Sequence, residues 1–408
     1  MTLGSYVHVP FCERVCPYCD FAVVARRRLS ISEETAYVEA LLRELELRQK
    51  VFAGRTLETV YFGGGTPALL TPVSLARLLK ALHDAFPRQP EPVRMAHRSA
   101  TNPGKKHELE VTLEINPSTL ERERLPDFRE AGVNRLSIGV QSWNNRSLKR
   151  LGRAHRAAES DLTLAACRRA GFDNLSLDLL FAHPEQTLAD LESDLARAID
   201  FGPEHVSTYE LTVETGTPYA TAVARNRFHL PEEVEAVQMH EMIERRLTAA
   251  GFVRYELSNY ARHGCESRHN QRYWRRQPVL ALGVGASSLD PPGADAPYGV
   301  RRTNVRELSR YMACLAEGTE AEAEPVDVLD ASTARAETIF LALRTREGLR
   351  AQIFAGAFGA PPRFFFEREI SGLIAQDWLA EDSAGDLALT PRGRLFSDSV
   401  FAEFMPAR

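Results

Sequence analysis

Lysine is scarce in this 408-residue chain. It stands only at Lys50, Lys80, Lys105, Lys106 and Lys149, and arginine supplies the rest of the 50 basic residues. A coding bias of the genome accounts for that imbalance more simply than any function does. Basic charge as a whole is not in excess. Against 55 acidic residues the net charge is −5, which excludes a bulk basic surface for nucleic acid. No apolar run approaches the roughly 20 residues of a membrane-spanning helix. The opening MTLGSYVHVPFC lacks the basic-then-apolar layout of a secretory signal. Cysteine is sparse too, and Cys167, Cys265 and Cys314 are scattered. That usage excludes a disulfide framework and fits a reducing cytoplasm. A chain of this length must then rely on a large apolar core divided over two or three domains.

What the chain does have is alternation. Short β-rich runs read as strands at SYVHV (5–9), TVYF (59–62), EVTLEI (110–115), RLSIGV (135–140), NLSLDLL (174–180) and HVSTYEL (205–211). Amphipathic helices separate them. One is expected from about Ser32 to Phe52, opened by Ser30 with Glu33 three places on. Thr71-Pro72, a cap followed by proline at the first helical position, starts another that runs to about Phe86. Six β-α repeats in one direction imply a parallel α/β sheet curling into a partial (β/α)6 barrel. The strand ends are loaded. They lead in turn to a cysteine loop, to GGGTP (63–67), to Glu114 before Asn116-Pro117, to Gln141, to Asp178, and to Tyr209 and Glu210. Chemistry collects at that end of such barrels, because the loops there converge on one mouth.

Residues 87–108 read as a polar surface insertion, and DPPGADAPYG (290–299) as a turn-rich segment. After about residue 325, helices followed by a short DLALT strand and a final helix suggest a small α+β winged-helix-like domain. It is not notably basic, so packing or partner docking suits it better than DNA.

The cysteine loop, HVPFCERVCPYCDF (8–21), holds Cys12, Cys16 and Cys19 in a C-x3-C-x2-C spacing. A structural zinc clip closes with four ligands, usually as two pairs, and no second pair follows. His8 is near but lies on the expected strand. An iron–sulfur cube with three protein thiolates leaves one iron open to a small molecule. Both readings stand on spacing alone.

This loop after a first barrel strand resembles the signature of the radical S-adenosylmethionine (SAM) superfamily. YFGGGTPALL, LEINP, RLSIGVQSW, YELSNYAR and RHNQRYW extend the resemblance over nearly the whole chain, to the oxygen-independent coproporphyrinogen III oxidase-like family and its haem-chaperone branch. The resemblance implies a radical SAM barrel over 1–235, a barrel-covering extension over 236–320 and the winged-helix-like domain over 321–408. It implies that Cys12, Cys16 and Cys19 ligate a [4Fe–4S] cluster whose fourth iron takes SAM. An electron from the cluster would then cleave SAM to methionine and a 5′-deoxyadenosyl radical. Gly63, Gly64, Gly65 and Thr66 would let the backbone approach the methionine end. Glu114, Gln141 and Asp178 would accept from the ammonium and ribose hydroxyls, Arg153 would neutralise a carboxylate, and Tyr6 and Tyr18 would flank the cluster loop. In RHNQRYW, His269 would be an axial haem ligand, with Asn270, Tyr273 and Trp274 stacking on or supporting the porphyrin. A packed, hydrogen-bonded histidine is the alternative there, and Cys265 is a second candidate ligand.

Within the family the alternatives are the decarboxylating coproporphyrinogen III dehydrogenase and a non-catalytic interaction scaffold. The dehydrogenase carries a further cysteine where this chain has Phe21, and an N-terminal arm where this chain places Cys12 almost at the start. Both differences favour the haem-chaperone branch. That branch implies haem, haem-accepting proteins such as respiratory enzymes, and an electron donor as partners. It excludes nucleic acid and allows transient contact with a membrane surface and a homodimer. One departure stands out: FAHPEQT (181–187) puts Ala182, His183 and Glu185 where the family has Gly, Leu and Gly. A reshaped turn after Asp178 is expected from it, with His183 a tolerated surface change in preference to an additional ligand or acid-base group.

Overall fold

The computed structural model describes residues 1–87, 108–323 and 326–406, so all but the two ends of the expected 87–108 insertion lies outside the described residues. Six parallel strands form its centre: β1 (Thr2–Val9), β2 (Thr56–Gly64), β3 (Glu110–Ile115), β4 (Arg135–Gln141), β5 (Leu175–Phe181) and β6 (His205–Glu210). They are hydrogen-bonded in sequence order, each parallel to the next. This is the α/β, partial-barrel arrangement that six strand-helix repeats require. The strands expected from sequence are found, with ends moved by a few residues. Local chemistry sets the intervening helices. Ser30 and Glu33 close a capping box on Ile31–Arg48, Thr71 caps Pro72–Ala85, and Thr187 with Asp190 caps Leu188–Phe201. The first helix is shorter than expected, because Gln49–Phe52 tightens into a 3-10 turn.

Alternation along the strands divides two environments. Val60, Phe62, Leu113, Ile138 and Leu177 join Leu41, Leu78 and Leu195 of the helices in one apolar core. The other face of the same strands carries Thr59, Thr112, Ser137, Ser176 and Ser207, all buried. Small hydroxyls there make the barrel lumen polar rather than filled with branched apolar side chains.

Later segments extend both edges of the sheet. Asn259–Ala261 and Val253–Arg254 add antiparallel strands beside β6, while Val279–Leu282 pairs parallel with β1. Ser287–Asp290, Val300–Thr303 and Asp327–Val328 then continue the sheet antiparallel. Asp290, read from sequence as the first residue of a loop, ends a strand and is buried. A second apolar core, including Ile339, Leu343, Phe354, Ile370 and Phe401, organises the C-terminal helices around the hairpin of Leu379–Glu381 and Leu387–Leu389. Among the described residues no helix is long and apolar enough to cross a membrane.

The first helix clamps the extension onto the barrel through buried polar contacts. Glu44 accepts from the Tyr311 hydroxyl at 2.6 Å, Asn304 Nδ2 at 2.6 Å and the Gly283 N–H at 2.8 Å. Arg48 reaches Asp290 at 2.6 Å one turn on, with both side chains almost wholly inaccessible. Burial raises the Glu44 carboxyl above its usual range, against the pull of the Tyr311, Asn304 and Gly283 donors. Glu44→Ala leaves these donors buried without an acceptor and is expected to cost about 3 kcal/mol or more. Urea unfolding of the two proteins, compared at equal slope, measures it.

Candidate functional site

The cysteine loop continues the β1–β2 ladder. Val9 is paired with Gly64, after which the Gly65 N–H donates to Val9 O at 2.8 Å and the Thr66 N–H to Phe11 O at 2.8 Å. The glycines are needed for this approach. A Cβ on Gly65 would stand 2.8 Å from Phe11 O and 2.9 Å from Cys12 Sγ. One on Gly64, at φ +108°, would stand 2.5 Å from the His8 ring. His8 supports the loop from beneath. Its Nε2 lies 2.9 Å from Ala22 O, which can only accept, so that nitrogen carries the proton and Nδ1 accepts from Tyr6 Oη at 3.1 Å. Both nitrogens are thereby used, and burial lowers the ring's pKa, so His8 is a neutral prop.

All three cysteines of the loop line one cavity of about 390 Å³ at the carboxyl ends of the strands. Tyr18, Gly64, Gly65, Thr66, Glu114, Gln141, Arg153 and Asp178 share it. Gly63 lies just behind, where a Cβ would press on Tyr61 and Tyr6. Glu114 accepts from Tyr61 Oη at 2.8 Å and the Gly64 N–H at 3.1 Å, and burial raises it to about 7. Asp178, also raised by burial, accepts from Ser137 at 2.8 Å and Ser176 at 3.1 Å. Arg153 bonds Asn116 and Gly139 O and lies 3.7 Å from Cys16 Sγ, while Asn116 Nδ2 donates to Thr66 Oγ1 at 3.0 Å. Burial pushes the Cys12 thiol up to about 12, opposed by a hydrogen bond with Thr66. Gln141 is held at φ +64°, a costly conformation for a residue with a Cβ. Thiols on one wall, a glycine floor with no room for side chains and buried carboxylates opposite fit a [4Fe–4S] cluster with SAM against it.

The turn after β5 corrects the expectation drawn from its missing glycines. Ala182 and Glu185 stand at φ +53° and +56°, so the left-handed conformations that glycine favours are kept. Glu185 is anchored by an ion pair with Arg150 and by its N–H to His229 O at 3.1 Å. His183 is not a surface change. It is fully buried, and burial lowers its pKa to about 4.

The predicted haem-contact residues lie elsewhere. RHNQRYW forms the helix Arg268–Trp274, which plugs the amino-terminal end of the lumen. The Arg268 and His269 N–H groups donate to Glu110 at 3.1 and 3.0 Å, and Arg272 reaches Glu58 at 2.6 Å. His269 is 1% exposed, with Nδ1 at 2.9 Å from Thr59 Oγ1 and Nε2 at 3.3 Å from Tyr273 Oη. Burial, then the Arg272 charge, lowers it to about 3. The His269 and Tyr61 rings pack on each other with centres 5.2 Å apart, and Tyr6 lies against both at 6.5 and 6.1 Å. Asn270 is half-buried on the same helix, its N–H capped by Ser267. Trp274 points the other way. It lines a cavity of about 620 Å³ shared with Arg275, Arg346, Ile353 and Phe354, and the Arg344 guanidinium sits 4.6 Å from its ring centre.

Sequence reasoning did not single out Tyr61 or Ser137 as site residues. Both are marked by period two: Tyr61 is two places before Gly63, and Ser137 four before Gln141, each on the lumen side of its strand.

Comparison with known proteins agrees with this geometry. A family model for the radical SAM superfamily matches residues 6–199, and one for the HemN C-terminal domain matches 329–396. Heme chaperone HemW of Bacillus subtilis (strain 168) is 32% identical over 402 residues, covering 98% of this chain and 99% of that protein. Its namesake in Mycobacterium tuberculosis (strain H37Rv) is 34% identical over 398 residues, covering 97% and 93%. Coproporphyrinogen III oxidase (HemN) from Escherichia coli, a solved structure, has the same fold, with a TM-score of 0.79 at 22% identity over 99% of this chain and 90% of that one. Identity at this level over essentially the full length, on a barrel with three cysteines at its mouth, places the chain in the HemW haem-chaperone family of the radical SAM superfamily.

Proposed function

We propose that this protein is a haem chaperone of the radical SAM type. It holds a [4Fe–4S] cluster on Cys12, Cys16 and Cys19, binds SAM across the glycine floor, and passes haem to acceptor proteins such as respiratory enzymes. The observation that carries this reading is the single cavity shared by the three cysteines, Gly65, Glu114, Gln141 and Asp178. Phe21, 66% exposed on that cavity's rim, supports the chaperone over the decarboxylating enzyme, whose further cysteine it replaces. We assign residues 1–235 to the SAM barrel, 236–320 to its extension and 321–408 to the C-terminal domain. A bound cluster supplies a low-potential electron to SAM, and a partner protein must supply that electron in turn. The chain's own residues do the rest. The glycines admit the cofactor, Glu114 and Asp178 accept from its polar groups, and Arg153 offsets negative charge beside Cys16.

Haem is the ligand for the other end of the molecule. Of the four residues in RHNQRYW singled out for it, Trp274 is the one beside a cavity of porphyrin-like size. His269 reaches iron only after leaving Thr59 and Tyr273.

Three outcomes follow from this reading. Anaerobic reconstitution should yield about four irons per chain, and Gly65→Ala should lose most of them with its far-UV circular dichroism unchanged. Zinc alone in the wild-type chain would sink the cluster. Glu114 is protonated below about 7. A carboxylate that must ionise to accept SAM's ammonium makes affinity rise with pH, about tenfold per unit between pH 5.5 and 7. Calorimetric titrations of SAM should show that slope, and Glu114→Gln should remove it. In haem titrations followed by the Soret band, Trp274→Ala should weaken binding about tenfold, while His269→Ala should chiefly lower unfolding stability. Conversion of coproporphyrinogen III with SAM consumption would favour the decarboxylating enzyme instead.

A further inference from the structure

The chain is acidic overall, with a net charge of −5, yet the surface beside the cysteine loop is not. Arg14, within the loop, borders both a concavity of about 680 Å³ and a smaller one of about 330 Å³. Arg27 and Arg28 line the first, Lys149 and Arg156 the second, and Arg153 and His155 line both. The side chains of Arg14, Arg27, Arg28, Lys149 and Arg156 are exposed, and none forms an ion pair among the described residues. Elsewhere arginines are commonly neutralised, as in Arg302 with Asp290 and Glu322 or Arg363 with Glu367 and Glu381. Carboxylates do approach this face: Glu13, Glu34, Glu121 and Glu159 line the larger hollow. Glu34 and Glu121 are buried and occupied by Thr71 and by the Asn116 N–H, and Glu159 caps the Arg156 N–H at 2.8 Å, which leaves Glu13 as the exposed carboxylate there without a partner among the described residues. Apolar side chains lie among the cations, with Ile31 85% and Leu120 42% exposed on the larger hollow. A patch of exposed apolar residues rimmed by unpaired cations has the composition of a protein-docking surface. Its position is informative, because Cys16 lines the same hollow as Arg27 and Arg28.

We infer that this face docks an acidic one-electron carrier protein, resting on the reading that a [4Fe–4S] cluster sits on the three cysteines. Uncompensated cations attract and orient an acidic partner, and they act mainly on the rate of encounter. The hollow admits a protruding loop close to Cys16, which a flat lipid surface would not fill. In the complex one electron leaves the carrier, whose own centre is oxidised by one electron, and the cluster is reduced by one. No bond is made or broken at that step.

The test uses the full-length, reconstituted protein and an acidic flavodoxin in its hydroquinone form as the probe. Stopped-flow bleaching of the cluster absorbance gives a second-order rate constant at several salt concentrations. Arg28→Glu/Arg156→Glu and Arg27→Glu/Lys149→Glu should each lower that constant about tenfold or more at low salt and flatten its salt dependence. Arg392→Glu, exposed on the C-terminal domain, should change neither. Bleaching by dithionite, which needs no docking, should be the same in all four proteins. Equal flavodoxin rates in the patch variants and in Arg392→Glu would overturn the docking site. So would a parallel loss with dithionite, which would assign these cations to the cluster itself. Loss of binding to phosphatidylglycerol vesicles in the patch variants, with flavodoxin rates intact, would overturn it in favour of a membrane. A wild-type chain that takes up no iron would refute the cluster reading, an outcome distinct from a cluster that reduces without charge dependence.

Discussion

The β1–β2 ladder is the constraint on which the rest of the mouth depends. Eight residues of β1, Thr2 to Val9, are paired with β2, and two further backbone hydrogen bonds carry the pairing past Val9 into the cysteine loop. The first of the three thiols, Cys12, is therefore set by sheet register and not by loop conformation. Register in a buried parallel pair is strongly specified, because a slip of one residue would turn each apolar side chain toward the lumen. The same register puts Gly64 over His8 and Gly65 against Cys12, two positions where a Cβ has no room. Glycine there is a packing requirement of the loop as much as an opening for a ligand.

The lumen beneath explains why a polar barrel holds together. Its inward side chains include small hydroxyls beside Tyr61, Glu114 and Asp178, and its lower end carries Glu110, Arg135, His205 and Arg272, all nearly inaccessible. Buried groups of this kind are tolerable only when they are partnered. The RHNQRYW helix supplies partners. Its first N–H groups serve Glu110, and Arg272 spans Glu58, Thr2 and Pro278. One face of the motif thus closes the barrel while Trp274 faces a separate cavity. A histidine beside aromatics can be a ligand or a packed core residue, and in this helix His269 is packed, between Thr59 and Tyr273.

Six strands, their direction and the loaded strand ends were legible because each depends on near-neighbour chemistry: alternation, caps and glycine runs. The grouping of Cys12, Cys16 and Cys19 was legible from spacing, and the fold brings all three to one cavity. Three things were not. Tyr61 and Ser137 lie within YFGGGTPALL and RLSIGVQSW but look there like ordinary strand residues, and they matter because β2, β3, β4 and β5 lie side by side, which only the assembled sheet provides. Ala182 and Glu185 argued for a changed turn because propensity treats left-handed backbone as glycine's province. The Arg150–Glu185 pair and the His229 carbonyl hold the conformation regardless, an example of tertiary contacts overriding local preference. His183 was assigned to the surface because a turn was assumed to be exposed. It is fully buried instead.

The two ends of the lumen are also joined by hydrogen bonds of consistent direction. Asp178, raised by burial but still an acceptor, receives the Ser176 hydroxyl at 3.1 Å. That hydroxyl has a single proton, so while it serves Asp178 the 2.8 Å contact between Ser176 and His205 Nδ1 is a donation from the ring. A neutral His205, kept so by burial and then by Arg135, has its one proton on Nδ1 and must accept at Nε2 from Tyr255 Oη, 2.8 Å away. Tyr255 in turn lines the cavity that holds Trp274, while Asp178 lines the one that holds the cysteines. With Ser176 donating to Asp178, each member fixes the proton of the next while His205 stays neutral. Burial is what keeps it neutral, so the same desolvation that makes the lumen costly also orders the polar path running through it.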